Sequence, residues 1–233
     1  MAPTGAAGRR AAPLSDPDPA TGQKQAAAVA AAELVQDGMR VGLGTGSTVA
    51  HLLPALAARS LLDVRCVATS PATEASARAL GLRLATLDEL GELDIAIDGT
   101  DQVDREGWLV KGGGGAHTRE KIVAAAARRF VVIASAEKAV ARVAAPIPLE
   151  LLSFGVARTL AALAPASLRG IPPSPDGGLI ADYLGPVDDP AALAARLSET
   201  PGVVGHGLFG PEMVSAVLIA HDDRIERREG AKG

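Results

Sequence analysis

At 233 residues, 48% hydrophobic and 21% charged, the chain has globular composition and room for one sizeable domain or one domain plus a small second one. Aromatics at 2% and a net charge of −4 without a basic tract argue against stacking on single-stranded nucleic acid and against a general nucleic-acid binder. Cys66 is the only cysteine, so no intrachain disulfide forms and a reducing, cytoplasmic setting is expected.

In chain order, residues 1–22 are rich in Ala, Pro, Gly and Asp and read as a disordered extension. Arg9-Arg10 lacks the apolar stretch a twin-arginine signal needs, and no run of about 18 apolar residues is available for a membrane span. From residue 23, helices are expected over 23–37, 47–59, 71–80 and 118–129. Strands are expected over 41–43, 64–68, 83–85, 94–97 and 130–134, with 108–110 short and extended. Cys66 falls inside one of these apolar strands and reads as a buried structural thiol. Such alternation predicts an α/β fold with a Rossmann-like, mostly parallel sheet and helices on both faces.

Near Pro146-Ile-Pro148 the pattern changes to strand 149–152, helix 155–164, strand 168–171, strand 179–183, helix 190–199 and strand 203–209. That βαββαβ order predicts a small inserted α+β domain of ferredoxin-like type. Residues 213–219 then read as a strand returning to the first sheet, and the polar tail from 222 as frayed. The expected division is a main domain of 23–145 and 213–233, with a small domain of 146–212.

Three motifs fall at strand ends, where parallel sheets bind ligands. Gly44-Thr45-Gly46-Ser47-Thr48 opens a helix, offering backbone N–H groups, hydroxyls and the positive end of a helix dipole to an anion. An ordinary capped glycine turn is the competing reading. A dinucleotide fingerprint would need glycine at Ser47 and an acid ending the next strand; a P-loop would need Gly-Lys-[Ser/Thr]. Asp98-Gly99-Thr100-Asp101 follows a buried apolar strand, although Asp-Gly is also common turn chemistry.

Lys111 stands directly before Gly112, Gly113, Gly114 and Gly115, where helix and packing roles are scarce and an oxyanion or phosphate partner explains a cation. Glu120 lies in the first turn of the next helix, a place the dipole favours for any carboxylate. The four histidines, His51, His117, His206 and His221, show no metal-ligand spacing, and no metal or cofactor is expected. A carboxylate base, a lysine and a phosphate-type loop suit proton abstraction beside the carbonyl of a sugar phosphate.

In the order and spacing of Gly44–Thr48, Asp98–Asp101, Lys111–Gly114 and Thr118-Arg-Glu-Lys121, the chain resembles type A ribose-5-phosphate isomerases over nearly its whole length past residue 22. The resemblance implies metal-free interconversion of ribose 5-phosphate and ribulose 5-phosphate through an enediolate. It implies Glu120 as the proton-transferring base and Lys111 as the cation beside the oxyanion. Asp98 and Asp101 would bind sugar hydroxyls and assist ring opening. Thr45, Gly46, Ser47 and Thr48 would join Gly99, Thr100, Gly112, Gly113 and Gly114 around the substrate, and Lys138 and Lys24 would be further binding lysines.

It also implies a homodimer or homotetramer acting on a small sugar phosphate, without nucleic-acid or membrane partners. Gln102, Gly115 and His117 depart from the family pattern, as does the short, Pro-rich stretch 165–178. His117 reads as a bystander rather than a tuner of Glu120. The alternatives are a sugar-phosphate-binding regulator domain, or a related sugar-phosphate deaminase or coenzyme A transferase.

Overall fold

In the computed structural model, which describes residues 19–232, strands and helices alternate through the first half of the chain. They run α1 (Pro19–Ala32), β1 (Arg40–Leu43), α2 (Ser47–Ala58), β2 (Arg65–Ala68), α3 (Pro71–Ala79), α4 (Leu87–Leu90) and β3 (Leu93–Gly99). Next come β4 (Gln102–Val103), β5 (Leu109–Val110), α5 (His117–Ala126), β6 (Ala127–Ser135) and a 3₁₀ turn at Ala136–Lys138. The second half holds β7 (Ile147–Leu151), α6 (Val156–Ala162), β8 (Ala166–Leu168), β9 (Leu179–Tyr183), α7 (Pro190–Glu199) and β10 (Val203–His206). It ends with β11 (Leu208–Phe209), β12 (Ala216–Ala220) and β13 (Ile225–Glu229).

The main sheet has the order β13-β12-β6-β3-β1-β2, parallel except for β13. Its inner strands β12, β6, β3 and β1 are largely apolar on both faces because both are covered. Ile95, Ile97, Val131 and Ile133 pack under α1 and α2, while Ala96, Val132 and Ala134 pack toward Val123 and Ala124 of α5. Each large side chain so buried contributes roughly 1.5–3 kcal/mol. Close packing also dictates Gly42, where a Cβ would lie 2.4 Å from Val123. From β1 the chain turns one way to β2, then crosses back to β3 on the other side. That reversal opens a crevice between the carboxyl ends of β1 and β3.

Strands β7 to β10 form a separate antiparallel sheet of order β10-β7-β9-β8, the ferredoxin-like arrangement, over its own core of Ile147, Leu149, Leu151, Leu193 and Leu197. A third sheet, β11-β5-β4, joins the two halves. The expected strand 203–209 therefore divides at Gly207, whose N–H bonds Pro148 and whose carbonyl accepts from Lys111 N–H at 2.8 Å.

Other boundaries also differ from expectation. Helix α1 starts at Pro19, inside the expected extension, while residues 1–18 lie outside the described residues. It stops at Ala32 instead of 37, and Arg59 donates to the carbonyls of Ala32 and Val35 there. Helix α5 ends three residues early because Ala127 is extended and enters β6 directly. The expected strand 83–85 is a single bridge from Leu84 to Cys66, and a Thr86–Glu89 capping box starts α4 just after it. The tail expected to fray is instead β13, whose alternating charges pair along the edge, Arg228 with Glu226 and Arg227 with Glu229 at 2.6 Å each. Among the described residues, no helix is long and apolar enough to cross a membrane.

Candidate active site

A cleft of about 120 Å³ lies at the β1/β3 crevice, lined by Thr45, Gly46, Ser47, Thr48, Gly99, Thr100, Asp101, Lys111, Gly112, Gly113, Gly114, Glu120 and Lys138. Three stretches far apart in sequence thus meet where strand topology sends them. Lys138 arrives on the 3₁₀ turn after β6, one-third exposed and 3.6 Å from Glu137. Asp98 sits under Lys111 and does not line the cleft. Lys24 is not brought to the cleft either; it is half-buried on α1, next to Gln23, whose side-chain Oε1 accepts from Ala136 N–H at 3.0 Å.

The buried centre is Lys111, 2% exposed. Its Nζ is 2.9 Å from Asp98 Oδ2 and 3.1 Å from Glu120 Oε2, and it donates to the Gly99 carbonyl at 2.6 Å. The Phe209 ring lies below, its centroid 5.5 Å from the ammonium. Burial opposes the charge, yet the Asp98 and Glu120 carboxylates override it and hold the Lys111 pKa above its ordinary value. Glu120 is pushed up to about 7, by burial first and by the Asp98 charge second, against Lys111. Burial raises Asp98 as well, against Lys111 and the backbone N–H groups of Thr45 and Gly99, which donate at 3.1 and 2.7 Å. Glu120 Oε2 contacts Lys111 without hydrogen-bond geometry and has no other partner among the described residues. Asp98 is therefore the carboxylate with more hydrogen-bond support, and Glu120 the one with less.

The first glycine loop is stitched from below. A Cβ on Gly44 would fall 1.9 Å from the Asp98 carboxylate, so only glycine admits Asp98 there. Thr45 Oγ1 lies 2.8 Å from Thr69 Oγ1 and 3.2 Å from Thr73 Oγ1, and Thr73 donates to the Gly44 carbonyl at 2.9 Å. Nothing in the sequence marked Thr69 or Thr73 for this role. Helix α2 has Gly46 at its N-cap with no side-chain cap, so the first-turn N–H groups beside Ser47 and Thr48 stay open to an anion.

The second loop carries Lys111. Asp101 Oδ2 accepts from Gly113 N–H at 2.8 Å, and Gly115 takes φ +76° as the turn closes onto α5. His117 is fully buried beneath Gly112, where a Cβ would lie 2.5 Å from Nδ1. Burial first, then the Lys121 charge, brings its pKa down to about 3, so the ring is neutral packing. Gln102 pairs both ways with Ala144, accepting from its N–H at 2.8 Å and donating to its carbonyl at 3.0 Å, which a glutamate could not do. Cys66 is buried, and burial pushes its thiol up to about 12.

Residues 65–224 match the family model for ribose 5-phosphate isomerase A (phosphoriboisomerase A). Over 220 residues, covering 88% of this chain and 96% of the relative, the sequence is 45% identical to ribose-5-phosphate isomerase A of Caulobacter vibrioides (strain NA1000 / CB15N). The fold superposes on ribose 5-phosphate isomerase A from Methanocaldococcus jannaschii with a TM-score of 0.84 and 33% identity, covering 89% of this chain and 98% of that one. A D-ribose-5-phosphate isomerase solved in complex with phospho-erythronic acid gives a TM-score of 0.85 and 30% identity over the same shares.

Proposed function

The chain belongs to the ribose 5-phosphate isomerase A family, and we propose that Glu120 moves the proton while Lys111 holds the oxyanion in its reaction. It is an isomerase that interconverts D-ribose 5-phosphate and D-ribulose 5-phosphate. In this reading Glu120 removes the C2 proton of the open-chain aldose and the electrons move onto the C1 oxygen; the O2 hydroxyl proton then passes to O1 as the C2 carbonyl forms, and the same carboxyl returns its proton to C1. A carboxyl with a pKa near 7 can both take and return a proton at neutral pH. The Lys111 ammonium offsets charge on the enediolate oxygens without itself giving up a proton.

Asp98 keeps that ammonium aimed, and Asp101 meets sugar hydroxyls and assists ring opening. Gly99, Thr100 and Gly112–Gly114 line the sugar, while Thr45–Thr48 and Lys138 receive the phosphate. Lys24, outside the cleft lining, is assigned no role. The observation that carries the assignment is one buried ammonium 2.9 and 3.1 Å from two carboxylates, at a cleft lined by two glycine loops, hydroxyls and a second lysine.

Purified protein should convert ribose 5-phosphate to the ketose, followed by ketose appearance. Absence of ketose would remove the reading. Ammonia release from an amino-sugar phosphate, or a covalent glutamyl intermediate with a coenzyme A thioester, would point instead to the deaminase or transferase, which the comparisons do not favour. A cytoplasmic homodimer or homotetramer is part of the same proposal. The lone buried thiol supports the location, and Phe154, 93% exposed on the small domain beside half-exposed Leu152, supports assembly. Sedimentation would read the assembly.

A further inference from the structure

Resting on the isomerase reading, we infer that Arg169 is a positioning residue, a clamp from the small domain that sets the peptide planes of the glycine loop after Lys111 and, through them, Asp101. Arg169 directly follows β8, at the start of a stretch rich in Pro and Gly. Its Nε and Nη2 donate to the two oxygens of Asp182 on β9 at 2.8 and 2.6 Å, a bidentate pair less than one-fifth exposed. That grip leaves Nη1 to donate to the carbonyls of Gly112 at 3.0 Å and Gly113 at 2.9 Å. The guanidinium does not line the cleft, so it acts through the loop.

The consequence follows from peptide planarity. A carbonyl and the next residue's N–H share one plane and point in opposite directions. Holding the Gly112 carbonyl fixes Gly113 N–H, which donates to Asp101 Oδ2 at 2.8 Å. Holding the Gly113 carbonyl fixes Gly114 N–H, which has no partner among the described residues and belongs to a cleft-lining residue. Both carbonyls are drawn toward Arg169, and both amides are turned the other way. From beneath, buried His117 blocks Gly112, which sits at φ +101°. Four glycines in a row would otherwise be the most mobile backbone in the chain. Lysine could not replace this fork, because a point donor cannot hold a carboxylate bidentately and two carbonyls together.

Arg169→Lys, Arg169→Met and Asp182→Asn test the clamp. The expected result is a kcat lower by about 10- to 100-fold in the Arg169 variants, since small misplacement of a reacting constellation costs on that order. Asp182→Asn should lose less. Because the effect runs through Asp101, the Arg169→Met loss should shrink in an Asp101→Asn background. Without substrate, hydrogen exchange should speed up at Gly113–Gly115 and stay unchanged at Ser47–Val49. If Arg169→Met does not fold, Arg169→Lys and Asp182→Asn carry the same readouts. Wild-type kcat in folded Arg169→Lys, strict additivity with Asp101→Asn, or unchanged loop exchange would each overturn the clamp. The exchange arm needs no turnover, so a failed isomerase reading, seen as an inactive wild type, is told apart from a failed clamp.

Discussion

The two glycine loops share a composition and differ in what holds them. Gly44–Thr48 is fixed by its own domain: Asp98 accepts from Thr45 N–H, Thr69 and Thr73 hydroxyls brace it, and α2 begins with no side-chain cap. Lys111–Gly115 is held partly from outside: Gly207 takes Lys111 N–H and Arg169 takes two carbonyls, while Asp101 of its own domain takes Gly113 N–H. In the proposed reading the first is a cradle of amides for the phosphate, whose charge does not change, and the second carries the cation and leads to the base, where small displacements cost rate. On that reading, contacts from Arg169 and Gly207 that reach only the second loop bear on the chemistry and not on the anchoring.

The largest expected break lies on the second side. Glu120→Gln keeps the shape but cannot accept a proton, so kcat should fall by about 10²–10⁴. Wild-type kcat/KM should fall on an acid limb near pH 7, as the base is protonated below it. A raised carboxyl pKa gives stability that is present below the ordinary value of 4.5 and lost as pH rises through about 7. The variant, which cannot ionise, should therefore melt no lower than wild type above pH 7, separating lost catalysis from lost folding. Near-normal turnover would remove Glu120 from the mechanism.

Lys111→Ala should come next, losing on the order of 3–4 kcal/mol of transition-state stabilisation, read as kcat. Since the ammonium lowers the Glu120 pKa, residual activity should show its acid limb at higher pH. A loss confined to KM would make Lys111 a ground-state binder. Gly44→Ala crosses between the loops: its Cβ displaces Asp98, costing about 1–3 kcal/mol in stability by overpacking together with part of kcat. An alanine variant with unchanged melting and rate would contradict the packing. On the first loop alone, Ser47→Ala removes a hydroxyl beside the phosphate site. It should raise KM by roughly tenfold, the value of one hydrogen bond to a charged group, with kcat unchanged. The smallest effect expected is none, as a chelator should leave turnover untouched; loss restored by a divalent ion would contradict Lys111 as the working cation.

Much of the fold was legible because its signals are local. Apolar runs such as Ile95–Ile97 and Phe130–Ala134 announce strands buried on both faces, and glycine clusters near their ends mark where backbone must approach a ligand. Lys111 and Glu120 could be singled out for the same reason. Helix α4 carries a capping box, Thr86 with Glu89, that is legible in the sequence. Strand β13 was not legible, because alternating Arg and Glu look like a solvated tail until β12 offers an edge. Arg169 gave no signal, being one arginine in a turn-rich stretch, and Gly207 looked like any glycine within a strand.

From the order of its residues alone, the chain determined its alternation of strands and helices, the two glycine loops and the chemistry-bearing side chains, because each depends on neighbours a few positions away. Tertiary structure alone decided that Glu120 is buried with its pKa raised, that Lys24 stays outside the cleft, and that Arg169 reaches the carbonyls of the second glycine loop. Those outcomes depend on burial and on contacts between residues tens of positions apart, such as Arg169 with Gly112, and desolvation and such pairings exist only once the chain has closed around them.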